Sequence, residues 1–329
     1  MPYVLTPEGA LALAAAVLLD LALGDPRWLP HPVRLMGRLI ARGEAAARRL
    51  PLPPRWQGAV LAGGLVAAAW GAGALLPALA GAVHPDLRTG TEALLLFYCL
   101  ALRSLAAEAG AVRKALEAGG LAEARRRLSR IVGRDTAELG PEDVARAAVE
   151  SVAENTVDGF LSPLCYAALG GPALALAFKM ASTLDSMVGY RDERYREFGT
   201  AAARLDDLAN FLPARAAAWL AAAAAPLVGA ARPEKVLRVV RMDAATSDSP
   251  NSGFPEAAFA AALGVRLSGP ARYRGRLVER PYILPEGREP GPRDIRRAVR
   301  LMGLVAACAV ALVLSPAAVA WLAAEVFPS

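Results

Sequence analysis

Long uncharged runs alternate with arginine-rich polar stretches along this chain. Gln57–Val83 is 27 residues without a charge, and Leu301–Ala324 is 24. Each exceeds the roughly 20 residues that a helix needs to cross a bilayer core. Phe160–Phe178 is uncharged over 19 residues, but Pro163, Gly170, Gly171 and Pro172 interrupt it. A broken segment at membrane depth is tolerated where it lines a protein-enclosed cavity. Three shorter runs accompany these. Gly9–Gly24 is apolar apart from Asp20, Ala93–Leu102 is brief, and Ala216–Ala231 reads as a return segment. The pattern predicts an all-α, polytopic helical membrane protein with about 4–6 membrane segments, some of them re-entrant.

The polar stretches orient this layout. Residues 25–56 carry seven Arg against two acids, and residues 232–300 carry fourteen Lys or Arg against eight acids. Basic loops beside apolar helices stay in the cytoplasm. The N-terminus is therefore expected outside, with 103–159 and 232–298 as cytoplasmic loop regions of one integral-membrane domain, 1–329. Within them, Ala106–Arg130 reads as one amphipathic helix, Pro141 starts another, and His84–Gly90 reads as a turn. The 232–298 loop is long enough for a small subdomain. The location follows as the cell (inner) membrane, with the active site facing the cytoplasm.

Composition narrows the classes. The chain has 329 residues, 55% hydrophobic and only 6% aromatic, with net charge +6 and mean hydropathy +0.33. Apolar content from Ala, Leu and Val suits close-packed helices. No basic stretch interleaves with stacking aromatics, so nucleic acid is not an expected partner. Cys99, Cys165 and Cys308 each sit in an apolar run without a CxxC partner, which argues against disulfides and zinc. The N-terminal apolar stretch lacks the basic n-region of a cleavable signal peptide and reads as a retained helix.

Candidate chemistry concentrates between Val144 and Asn210. Arg146, Glu150, Glu154 and Asp158 recur every fourth residue, which places them on one helix face. Glu150, Glu154 and Asp158, with Asn155, have the character of hard-cation ligands and suit Mg²⁺; an ordinary solvated face with an Arg146–Glu150 pair is the alternative. Lys179 closes the apolar run, followed by Asp185, Arg191 and Arg194, then Asp206 and Asp207. Ionisable residues at a membrane segment's edge are functional candidates, whereas snorkelling of Lys179 is the bland reading. Arg34 and Arg38 share a helix face, as a cradle for an anion or a positive flank. The loop Ser249–Gly253 offers Asn251, and Glu256 follows it; the plainer reading is an Asx turn capping a helix. The chain contains no GxxxxGK[ST], GxGxxG, HExxH or GxSxG motif.

Five stretches resemble one family. They are Gly24-Asp25-Pro26 with Leu29–Val33, Val152–Gly159, Thr183–Tyr190, Ala203–Asp207 and Ser249–Gly253. In this order they resemble the cobalamin-biosynthesis membrane proteins of CobD/CbiB type, the adenosylcobinamide-phosphate synthases, over about residues 11–285. The resemblance implies an acid–amine ligase. It would join adenosylcobyric acid to (R)-1-aminopropan-2-ol or its O-phosphate, with ATP as co-substrate and Mg²⁺, and other late B12-pathway enzymes as possible partners. The roles expected for the residues run as follows. Glu150, Glu154 and Asp158 hold Mg²⁺, and Lys179, Asp185 and Asp207 are catalytic. Arg34, Arg38, Arg191, Arg194, Asn251 and Glu256 bind substrate. At 247–248 the chain has Ser and Asp where the family often has His-Pro, so no catalytic histidine is expected there. The competing readings are a corrinoid or small-molecule transporter and a non-catalytic membrane scaffold.

One point of the layout stays open. A full crossing by Phe160–Phe178 would carry the polar Asp185–Asp207 segment away from the other polar loops, so a re-entrant pair between 160 and 231 is expected. Cysteine labelling of Ser186→Cys in intact cells checks this: reaction only with a membrane-impermeant reagent added from outside would exclude it.

Overall fold

A computed structural model describes residues 2–25, 31–190, 192–229 and 231–326, with side chains through residue 316. The helices run α1 (Pro7–Leu23), α2 (Pro32–Ala47), α3 (Pro54–Val83), α4 (Pro85–Phe97), α5 (Leu102–Glu117), α6 (Leu121–Leu128), α7 (Pro141–Thr156), α8 (Ser162–Val188), α9 (Thr200–Ala224), α10 (Pro233–Asp243), α11 (Gly253–Leu263) and α12 (Pro292–Val326). Seven of the twelve open on proline. The ring presets the helical φ, and the missing N–H would have had no partner in the first turn anyway. Several starts are also capped. The Thr6 hydroxyl accepts from Gly9 N, and the His84 ring accepts from Asp86 N.

The expected all-α membrane architecture is observed. Among the described residues, five helical stretches are long and apolar enough to cross a membrane: Pro54–Val83, Pro85–Glu117, Pro141–Val188, Thr200–Val228 and Pro292–Pro316. Exposed apolar residues mark the lipid-facing side of α3, including Trp56, Val60, Trp70, Leu75 and Leu79. On a water-soluble protein such a stripe would be an aggregation surface.

Three local expectations change. The His84–Gly90 turn is the first part of α4, because His84 and Pro85 supply a cap and a helix start. The single helix expected over Ala106–Arg130 is two, α5 and α6, parted where Gly119 adopts φ +72°. That left-handed conformation suits glycine and ends helices. The 232–298 region also holds two small antiparallel pairs. β1 (Leu267–Ser268) pairs with β4 (Tyr282–Ile283), and β2 (Ala271–Tyr273) pairs with β3 (Arg276–Val278).

The chain divides into two compact units. The first comprises Met1–Ala101, Ser162–Asn210 and Val310–Ser329; the second comprises Leu102–Leu161 and Phe211–Ala309. In the first, α3, α4 and α8 pack together, α1 lies on α4, and α2 meets α3 and α8. Small residues permit the close approaches. A Cβ on Gly73 would sit 2.5 Å from Pro172 O and 2.6 Å from Ala173 Cα. The predicted interruption of the third apolar run is real. Gly170 and Gly171 leave helical geometry, Gly171 with φ +60°, just before Pro172. The ring of Tyr3 covers Gly171, and its hydroxyl donates to Glu92 Oε2 at 2.6 Å. In the second unit α7 is buried from Val144 through Ala153 on every face, as a helix at the centre of a bundle must be. The two regions read as separate cytoplasmic loops, 103–159 and 232–298, both belong to this unit.

The glycine contacts give a test. Gly73→Ala places a methyl into backbone and is expected to lower the detergent Tm by several degrees. Gly64→Ala, which meets nothing within 4 Å, is expected to hold or raise it, since alanine favours a helix interior by about 1 kcal/mol over glycine. Equal Tm values for the two variants would contradict the packing.

Candidate functional site

The second unit buries a cluster of carboxyls around one arginine. Pro141 and the acids Glu142 and Asp143 start α7, and Asp143 Oδ2 accepts from Gly140 N at 3.2 Å. Two turns on, Glu150 is 2% exposed. Arg134, from the segment before α7, reaches its Oε2 at 2.5 Å. The backbone N–H of Ser268 donates to its Oε1 at 2.6 Å. Ser268 takes a positive φ of 60°, a conformation unusual for a residue with a side chain. Glu154 lies one turn further along α7 and hydrogen-bonds Glu256, which sits buried in the first turn of α11. Burial, and then the neighbouring Glu154 and Glu150, push the Glu256 carboxyl well above the usual carboxylate range. At Arg134 burial opposes the charge, but Glu150 outweighs it and raises the guanidinium's pKa.

Glu150, Glu154 and Glu256 therefore come together. Asp158 lies just beyond the end of α7. After Thr156 the chain takes one π-helical turn, Val157–Leu161. Among the described residues, no three His, Cys, Asp or Glu side chains group as a metal site. The expected Mg²⁺ triad of Glu150, Glu154 and Asp158 is thus not found as a group among the described residues, and Arg134 and the Ser268 N–H engage both oxygens of Glu150.

The first unit carries a second acidic group. Asp185, near the end of α8, and Asp206 and Asp207, on α9, lie within electrostatic reach of one another. A buried polar chain supports it. Ser162 Oγ donates to Asn210 Oδ1 at 2.6 Å, and Asn210 Nδ2 donates to Asp206 Oδ2 at 3.0 Å. The other Asp206 oxygen is buried and, among the described residues, accepts no hydrogen bond. Lys179 lies on the same helix as Asp185, and the hydroxyl of Thr183 bonds its carbonyl at 2.6 Å. The sequence pointed to all three acids and expected the catalytic roles at Asp185 and Asp207 rather than at Asp206.

The arginines separate by partner. Arg194 is paired with Glu44 at 3.0 Å, and Arg48 reaches the same carboxylate at 2.8 Å. Tyr195 Oη adds a hydrogen bond at 3.3 Å. Burial would raise the Glu44 pKa, but the two guanidinium bonds outweigh it and hold the group low. Arg194, expected to bind substrate, pairs with Glu44 and so joins α2 to the segment after α8. Arg34 and Arg38 are exposed on α2, and α2 packs against α8 through Gly37 and Met187. Arg191 lies outside the described residues, as do Pro26–Pro30 of the first motif. Asn251 is 6% exposed, fixed in a turn in which Ser249 Oγ accepts from the N–H of Asn251 and of Ser252. Its side-chain oxygen faces Arg215 at 3.4 Å, a neighbour that sequence reasoning did not single out.

Comparison with known proteins places these motifs. The CobD/Cbib protein family matches residues 13–302. The chain is 46% identical over 308 residues to the cobalamin biosynthesis protein CobD of Klebsiella pneumoniae, covering 92% of this chain and 95% of the relative. It is 51% identical over 281 residues to that of Geobacter metallireducens, covering 85% and 87%. It is 44% identical over 315 residues to the cobalamin biosynthesis protein CbiB of Salmonella arizonae, covering 95% and 98%. No solved structure matches the chain.

The state of Glu256 has a pH signature. Its raised pKa means that the folded protein keeps a proton that the unfolded chain releases near pH 4.3. Folded stability therefore falls as pH rises from that value toward the folded pKa. Glu256→Gln, neutral at every pH, is expected to remove this fall and to match or exceed the parent Tm at pH 8. A lower Tm with an unchanged pH slope would show that Glu256 is ionised.

Proposed function

Because this chain belongs to the CobD/Cbib family, whose members act in cobalamin biosynthesis, we propose that it is the ligase that closes an amide between adenosylcobyric acid and (R)-1-aminopropan-2-ol or its O-phosphate, using Mg-ATP as co-substrate. The observation that carries the reading is the family match from residue 13 to residue 302, which includes both acidic groups.

A carboxylate is a poor acylating agent. In the proposed reaction its oxygen attacks the γ-phosphoryl group of ATP, giving an acyl phosphate and ADP. The amine then attacks the acyl carbon and phosphate leaves. Before that attack the ammonium must lose a proton. Asp185, with Asp206 and Asp207 beside it, supplies concentrated negative charge that attracts an ammonium and accepts that proton. Asn210, held by Ser162, orients Asp206. Lys179 supports the negative charge that develops at the acyl centre. In the second unit Glu150 and Arg134 neutralise each other, so their role is to hold α7, the preceding segment and β1 in register. Mg²⁺ enters as the counter-ion of ATP, and no step is assigned to a protein-bound metal. The polar regions and the active site are assigned to the cytoplasmic side of the cell membrane, where ATP is available.

The test uses purified protein in liposomes with adenosylcobyric acid, each amine in turn and Mg-ATP, followed by corrinoid mass. Product of the amide mass, dependent on ATP, is expected. Asp185→Asn is expected to lower kcat about 10²–10⁴-fold, the usual range for a proton-transfer group. No amide from the parent protein with either amine would reject the ligase and favour a scaffold. ATP-independent corrinoid uptake into the vesicles would favour a transporter.

A further inference from the structure

Arg215 is a cation in the apolar helix α9, without a counter-charge among the described residues. It falls within the membrane-crossing stretch Thr200–Val228. Such residues are expensive and normally pair with an acid. Several other arginines of the second unit do have an acid partner. Arg134 pairs with Glu150, Arg146 with Asp143 and Glu289, Arg280 with Asp248, and Arg288 and Arg297 with Asp294. Among the described residues, Arg215 forms no ion pair.

Its guanidinium is nevertheless held firmly. It lies 3.5 Å from the ring centroid of Phe211 and 4.2 Å from that of Phe254. Nη1 alone makes its hydrogen bonds, to Phe211 O at 2.6 Å and to Asn251 Oδ1 at 3.4 Å. Nε and Nη2 take no partner among the described residues. These two nitrogens form the edge of the guanidinium that binds a carboxylate or phosphate through two parallel hydrogen bonds. The aromatic contacts offset part of the charge's desolvation and fix the plane of the fork. A snorkelling arginine needs no such clamp. Asn251, which steadies Nη1, belongs to the Ser249–Gly253 stretch. That loop is tied by the Ser249 bonds and by Ser247 Oγ to Ser252 Oγ at 2.8 Å. A loop organised to present an amide to an unpaired arginine is organised for an anion.

We propose that the free Nε–Nη2 edge of Arg215, steadied by Asn251, Phe211 and Phe254, is an oxyanion subsite that binds a carboxylate or phosphate group of a substrate. The proposal rests on the amide-ligase reading, in which one substrate presents a carboxylate and the others phosphates. Phe254 and Asn251 lie on the loop and first turn that lead to Glu256, which connects the subsite to the carboxyl cluster along the chain.

Two variants test it in neutral phosphatidylcholine nanodiscs. Arg215→Lys keeps the charge and loses the fork. Asn251→Asp sets a carboxylate against Nη1 of Arg215 and neutralises the charge that the subsite would offer an anion. If the parent ligates, both variants are expected to raise KM for the same one substrate by about 10- to 100-fold, the range for a charge-assisted bidentate bond. KM for the other substrates should change little. Which substrate responds separates carboxylate from phosphate. Unchanged KM for acid, amine phosphate and ATP in two variants with parental Tm would overturn the subsite while leaving the ligase standing. If the parent does not ligate, thermal shift decides. Inorganic phosphate or propionate is expected to raise the parent Tm but not that of Arg215→Lys, and equal shifts would overturn the proposal. A lipid headgroup is the other source of phosphate. If phosphatidylglycerol raises the parent Tm, Arg215→Lys abolishes that rise, and no substrate KM moves, the site is a lipid site and the substrate assignment fails.

Discussion

A carboxylate on a helix that is buried on every side must take its partners from other parts of the chain. Glu150 meets that constraint through Arg134 at 2.5 Å and the Ser268 N–H at 2.6 Å. Those two contacts reach 16 residues back and 118 residues forward, so they join three remote segments at one point in the second unit. Removing one partner from a buried pair costs about 3–5 kcal/mol, because the other charge is left uncompensated. The positive φ of Ser268 is the local strain that this junction sustains. Glu256 solves the same problem differently. Burial and the neighbouring acids push its carboxyl well above the usual range, Arg134 offsets only part of that, and it shares a hydrogen bond with Glu154.

The first unit follows the same logic in a more apolar setting. Glu44 gathers Arg48, Arg194 and Tyr195, and Glu92 gathers Tyr3 and Arg88. In each case a carboxylate that burial would disfavour becomes the node that ties distant segments together. The acidic group of Asp185, Asp206 and Asp207 is the exception. It is supported by amide and hydroxyl groups at Asp206, and mutual repulsion among its members persists. Groups that leave such repulsion in place mark sites for chemistry more often than sites for stability. Arg215 is the cationic counterpart in the second unit, braced by aromatic rings and left open on one edge.

Much of the architecture was legible along the chain. Uncharged runs longer than a bilayer's thickness identify α3 and α12, and the Gly170-Gly171-Pro172 sequence announces the break in α8. Helix starts were readable at Pro141 and at other prolines, since N-terminal chemistry is local. Boundaries set by single residues were harder. The division of α5 from α6 turns on the conformation of Gly119, and the start of α4 turns on the His84 cap. Both compete with an apolar periodicity that runs through them.

Sequence by itself determined the membrane class, the family and which residue types carry chemistry, because hydrophobic length, proline position and motif order are properties of neighbouring residues. Tertiary structure alone decided their use. The four-residue spacing suggested a row of Glu150, Glu154 and Asp158, and folding set Glu256 beside the first two. Arg194 was expected to face an anion, and the fold gives it Glu44, 150 residues away, as a partner. Glu256 and Asp206 gained their neighbours, and Arg215 its aromatic clamp, from helices that meet only on folding. Charges act over a few ångströms in space, and in a long helical chain those ångströms are not measured along the sequence.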